Sequence, residues 1–185
     1  SAPPGLTMVA VSEDAFAAMH ERKTPIRSFY ANLLTFENYY KDQWFPYTMP
    51  VSDIMGLRQA LENVAADPKH LDRHAKIAAA TRKALTEAGL TLYLESGFAS
   101  SVTVFNVPEG MKAQDILNTM VEKHHIMIAG CFDVLAGKVI RIGHMGNNAN
   151  EADMTETLRA LAQTLQELGF DVKADPAESF QTYMK

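Results

Sequence analysis

Two periodicities alternate along the chain. Apolar residues recur every three to four positions in some stretches and every second position in others. Residues 6–11 (LTMVAV) read as a buried strand that enters a helix at Ser12. Ser12 is the expected N-cap, with Glu13 and Asp14 in the first turn, where the helix dipole favours acids. That helix runs to about Glu21, and a loop follows. Residues 31–44 (ANLLTFENYYKDQW) are aromatic-rich and read as a short helix. "FPYTMP" (Phe45 to Pro50) carries two prolines and is no regular helix. After Pro50 a helix aligns Ile54, Leu57, Leu61 and Val64, with Ser52 the nearest capping side chain and Pro68 the stop. A second long helix covers about 69–88, with Leu71, Ala75, Ala78, Arg82 and Leu85 along one side and Gly89 as its C-terminal cap.

From there the period shortens. "LTLYLE" and "SVTVFNV" alternate and read as strands. Residues 112–124 form an amphipathic helix through Ile116, Leu117, Met120 and Val121, and "IMIAG" and "KVIRIGH" are the next strands. Asn150 caps a last helix with the stripe Met154, Leu158, Leu161, Leu165 and Leu168. "FDVKA" is an expected edge strand, and the tail from Asp175 is expected to be loose. The chain holds no internal repeat. Its seam lies near residues 50–66, followed by the helix and strand order of a compact α/β lobe.

Composition narrows the class. The 185 residues are 47% hydrophobic and 21% charged, which suits a globular domain and argues against disorder. A net charge of −5 without a basic block argues against nucleic-acid binding. No apolar run approaches the roughly 20 residues that span a bilayer, and "SAPPGL" has no secretory pattern. Cys131 is the only cysteine, so intrachain disulfides and cysteine-rich zinc sites are excluded and a reducing, cytoplasmic setting is expected. Ser1 is not methionine and the opening residues read like a domain interior, so the chain is expected to be a piece of a longer protein.

The candidate chemistry centres on "GKVIRIGHMG" (Gly137 to Gly146). Val139, Arg141 and Gly143 share one strand face, and Ile140 and Ile142 the other. A partly desolvated guanidinium costs several kcal/mol unless it is paired, so Arg141 must meet an internal Asp or Glu or an anionic ligand. Thr48 is a possible phosphate donor or a capping residue in a packed loop. Cys131 reads as a small buried residue rather than a nucleophile. His124 and His125 close a helix, where a positive charge suits the dipole, and no carboxylate spacing around them suggests a metal site. His144 stands beside the arginine. No GxGxxG, P-loop or GxSxG is present.

Taken together and in order, "SAPPGL", "FPYTMPVSDIMGLRQAL" and "GKVIRIGHMGNNAN" resemble the class V aminotransferases, nearest to the alanine–glyoxylate and serine–pyruvate group. The resemblance runs over nearly the whole chain and is weakest after about residue 170. It implies a fold type I, pyridoxal-phosphate-dependent enzyme. The expected class is α/β, a small lobe with a mainly antiparallel sheet covered by helices. Residues 1–50 would end the large cofactor-binding domain, 51–68 would be an interdomain helix, and 69–185 the small C-terminal domain. Pro3-Pro4-Gly5 matches the end of the family segment S-Q-K-x-L-x-x-P-P-G, which puts the Schiff-base lysine three residues before Ser1, so the chain alone is expected to be inactive.

The resemblance also assigns roles. Arg141 matches the arginine that grips the substrate α-carboxylate. Thr48 matches a threonine that contacts the cofactor phosphate from the neighbouring subunit of a homodimer. Phe45 stands where some relatives carry a tyrosine that assists, and it has no donor; Tyr47 is close by. The family loop G-G-L-G-x-x-x-G-K reads "AGCFDVLAGK" here. The implied reaction is transamination between a small amino acid, alanine or serine, and a 2-oxo acid such as pyruvate or glyoxylate, with no metal. The alternatives are a non-catalytic C-terminal lobe serving as an interaction domain, and a pyridoxal-phosphate lyase or cysteine desulfurase-like relative.

Overall fold

The computed structural model describes residues 4–185. Pro3, the first residue of the P-P-G match, lies outside the described residues. The chain divides into two compact units, one ending at Ala66 and the other spanning Asp67–Lys185.

The first unit contains α1 (Glu13–His20) and α2 (Val51–Ala65), with a 3₁₀ turn at Leu33–Phe36 between them. Ser12 caps α1 as expected, its Oγ accepting from the Ala15 N–H at 3.2 Å. The strand expected at 6–11 does not form; Met8 and Val9 are exposed, and a strand without a ladder partner has nothing to stabilise it. The helix expected over 31–44 shrinks to that single 3₁₀ turn. Phe36 and Tyr39 turn instead into an aromatic group with Phe45 and Tyr47, and Gln43 adopts a left-handed φ of 50° that a helix cannot contain. In α2 the residue at the N-cap is Pro50 with no side-chain bond, so Ser52 lies inside the helix rather than capping it. The stripe on α2 forms, but Ile54, Leu61 and Val64 stay 41%, 57% and 50% exposed. None of the described residues of this unit is buried.

The second unit holds a continuous core. It contains α3 (His70–Glu87), β1 (Val102–Asn106), α4 (Ala113–His124), β2 (Val139–Gly143), α5 (Glu151–Glu167) and α6 (Pro176–Met184). The strands β1 and β2 pair antiparallel, with Val104 opposite Arg141 and Phe105 opposite Ile140. The expected outer strands are reduced to single bridges: Leu92 to Phe105 beside β1, and Ala129 to Arg141 beside β2. Chain order along the sheet is therefore the 90s segment, β1, β2 and the 126–130 segment. This is the expected arrangement of helices covering a small antiparallel sheet.

Burial selects the faces. On α3 the buried residues are Ile77, Ala78, Ala80, Thr81, Ala84 and Leu85, so only Ala78 and Leu85 of the expected stripe face the core and Leu71 is 70% exposed. Gly89 follows the helix at φ 92°, a conformation that glycine adopts without a Cβ penalty. On α5 the expected Met154, Leu158, Leu161 and Leu165 are buried, each stabilising by roughly 1.5–3 kcal/mol. Asn150 caps this helix, its Oδ1 accepting from the Asp153 N–H at 2.8 Å. The tail is not loose. Asp175 Oδ1 accepts from the Ala177 N–H at 2.8 Å, Pro176 opens α6, and Phe180 is fully buried where α6 packs against α3 and α5. "FDVKA" forms no strand; its backbone bridges the two helices instead, through Phe170 N–H to Leu165 O and Lys173 N–H to Ala88 O.

Candidate functional site

Arg141 sits at the middle of β2 with both neighbours apolar and buried, Ile140 at 0% and Ile142 at 1% exposure. The side chain on the other face is partly buried. Three residues of the adjoining segment, Ala129, Gly130 and Phe132, contact Arg141. The Arg141 N–H donates to the Ala129 carbonyl at 2.7 Å, and the Arg141 carbonyl accepts from the Ala129 N–H at 3.1 Å. The next residue, Gly130, accepts from Arg141 Nε at 2.7 Å. Beyond Cys131, which is a free and partly buried thiol, the ring of Phe132 lies with its centroid 5.4 Å from Arg141 Cζ. No carboxylate pairs with Arg141 among the described residues. One edge of the guanidinium is thus tied to backbone, and the Nη groups remain as donors for an anion.

The loop carrying Phe132 is tightly wound. Its carbonyl accepts from the Leu135 N–H at 3.1 Å, and the Asp133 carbonyl accepts from the Ala136 N–H at 3.0 Å. Asp133 takes a left-handed φ of 53°, and Gly137 takes 72°. Asp tolerates this region better than most residues.

His144 follows β2 and is fully buried. Its Nε2 is hydrogen-bonded to Thr103 Oγ1 at 2.9 Å, and Nδ1 has no partner among the described residues. Burial pushes its pKa down from the ordinary 6.5, and the charges of Arg82 and His74 push in the same direction. It is a packed imidazole whose burial favours the neutral form, and it ties the end of β2 to β1.

Thr48 and Phe45 lie in the first unit. Thr48 is exposed, and no hydrogen bond engages its hydroxyl among the described residues. Phe45 packs against Phe36, with ring centroids 5.8 Å apart, and Tyr47, at 6.3 Å. The Tyr47 hydroxyl donates to the Phe29 carbonyl at 2.7 Å, so it is engaged within the aromatic group. As a donor set for a phosphate, this segment offers the Thr48 hydroxyl alone.

The chain is similar to known proteins over about half of their length. No family model matches the chain. An uncharacterized aminotransferase of Methanocaldococcus jannaschii is 36% identical over 183 residues, 96% of this chain and 47% of its own length. The pyridoxamine–pyruvate transaminase of Mesorhizobium japonicum is 32% identical, over 91% of this chain and 44% of its own. The crystal structure of the pyridoxamine–pyruvate aminotransferase from Mesorhizobium loti matches with a TM-score of 0.89 at 28% identity, covering 98% of this chain and 48% of that one. Its homologues and structural neighbours are class V aminotransferases, each matched over about half of its length. Other relatives carry the names alanine–glyoxylate aminotransferase (Oryctolagus cuniculus, 30% identical) and soluble hydrogenase small subunit (Synechococcus, 33% identical). The chain spans about half the length of the curated relatives it matches. Sequence reasoning singled out Arg141, Thr48 and Phe45; it missed Gly130 and Phe132 as the groups that hold the arginine. "AGCF" offered the signal, a glycine and an aromatic directly after a strand, but only the pairing of Ala129 with Arg141 brings them to the guanidinium.

Proposed function

We propose that the whole protein transaminates a small amino acid, of the alanine or serine type, with a 2-oxo acid such as pyruvate or glyoxylate. In this reading Arg141 is the clamp for the substrate α-carboxylate. The observation that carries it is the guanidinium itself: partly buried, tied by Nε to the Gly130 carbonyl, and without a carboxylate partner among the described residues. A cation in that setting is stabilised by an anion presented to its Nη groups. The names of the relatives, which include pyruvate and glyoxylate, support the substrate class.

Pyridoxal phosphate, when bound, supplies the electron sink that allows the amino acid to lose its Cα proton and transfer its amino group. This chain's residues act around that chemistry. Arg141 holds the carboxylate and so limits rotation about the bond to Cα, which is where orientation contributes to rate. The Thr48 hydroxyl, exposed and unengaged, would donate to the cofactor phosphate, from the neighbouring subunit if the protein is a homodimer. Phe45 contributes packing and no donor.

The test is steady-state kinetics of the full-length protein with L-alanine and glyoxylate. Arg141→Ala should raise the KM for L-alanine about 100-fold, on the scale of losing a charge-assisted bidentate contact, and leave the cofactor absorbance spectrum unchanged. Unchanged kinetics would remove Arg141 from the site.

A further inference from the structure

Arginine is a long side chain with several rotatable bonds, and a clamp that wanders loses affinity for its anion through ordering entropy. The strap from Nε to the Gly130 carbonyl fixes one edge of the guanidinium but leaves its plane free to tilt about that bond. The ring of Phe132 lies against the same group, 5.4 Å from Cζ to the centroid, within the range of a cation–π contact. Phe132 is 77% exposed, so its ring adds almost nothing to the core, and the contact it makes is with the guanidinium. Its backbone is held by the 3₁₀ turn Asp133–Leu135, a turn that places a non-glycine residue at φ 53°. The turn therefore fixes the backbone directly beside the residue whose ring lies against the cation.

We propose that Phe132 is a positioning residue for Arg141. Its ring face supports the guanidinium plane from one side, so that with Nε tied to Gly130 the Nη edge is presented in one orientation to an incoming carboxylate. The inference rests on the reading of Arg141 as the carboxylate clamp. It predicts that Phe132 acts on substrate binding and not on the chemical step, because the contact is with the arginine and not with the reacting atoms.

The experiment uses the full-length protein with L-alanine and glyoxylate and four variants: Arg141→Ala, Phe132→Ala, Phe132→Leu and Phe132→Tyr. Phe132→Ala and Phe132→Leu should each raise the KM for L-alanine about 2- to 10-fold with kcat within about 2-fold of the parent. Phe132→Tyr, which keeps the π-face, should restore the parental KM, and the melting temperature should stay level across the series because the side chain is exposed. If Phe132→Ala leaves KM unchanged, or Phe132→Leu restores it as well as Phe132→Tyr does, while Arg141→Ala still raises KM, the positioning role is overturned and the clamp stands. If Arg141→Ala itself has no effect, the clamp reading and this inference fall together.

Discussion

At Arg141 the desolvation of a charge is offset by backbone oxygen and an aromatic face rather than by an acid. That arrangement keeps the residue available, because a carbonyl and a ring lower the cost of burial without neutralising the charge. His144, three positions on, shows the opposite solution. It is fully buried, bonded through Nε2 to Thr103, and faces Arg82 and His74 on α3. Desolvation holds its pKa below 6.5, so at intermediate pH the unfolded chain binds more protons than the folded one, and stability rises with pH there. The contribution is complete above 6.5 and is lost as pH falls through the depressed value. Thermal melts across pH 5 to 8 should therefore show stability declining below about 6.5, with a shallower decline in His144→Asn. Equal slopes in parent and variant would show that His144 is not a buried neutral imidazole.

Helix ends were more legible than strands. Ser12, Asn150 and the αL residue after α3 announce themselves through local chemistry that needs no distant partner. The same chemistry marks α6: Asp175 with Pro176 next and Glu178 three positions on is an N-cap, a first-turn proline and a capping-box acid. That signal outweighs the polar look of the tail. Because Phe180 is fully buried between α3 and α5, Phe180→Ala should destabilise the Asp67–Lys185 unit by about 3–5 kcal/mol, read as a lower urea midpoint. A change below about 1 kcal/mol would mean that α6 is not docked in solution. The strands went differently. "LTLYLE" and "IMIAG" alternate as strands do, yet each joins the sheet through one bridge, since a ladder requires a neighbour in register along its length.

Across the molecule the two units differ in kind. The Asp67–Lys185 unit buries Ile77, Leu85, Phe105, Ile116, Met120, Ile140, Leu158 and Phe180 in one cluster, whereas none of the described residues up to Ala66 is buried. A segment with no buried side chain has little to set against the entropy of ordering its backbone. Expressed separately, 67–185 should unfold cooperatively in urea, and 1–66 should show no cooperative transition by circular dichroism and near-ultraviolet signals. A sigmoidal unfolding curve from 1–66 would contradict this account of where the stability resides.

By itself the sequence determined the caps at Ser12, Gly89 and Asn150, the strand character around Arg141 and the requirement that something meet its charge. Each depends on covalent neighbours and on the energetics of a single group. The tertiary structure decided which side of α3 faces inward, that the tail becomes a docked helix, and that the partners of Arg141 are the Gly130 carbonyl and the Phe132 ring rather than an acid. Those outcomes depend on which segments lie side by side. A carbonyl or a phenyl ring carries no mark of its partner in the sequence until pairing between Ala129 and Arg141 sets them within reach.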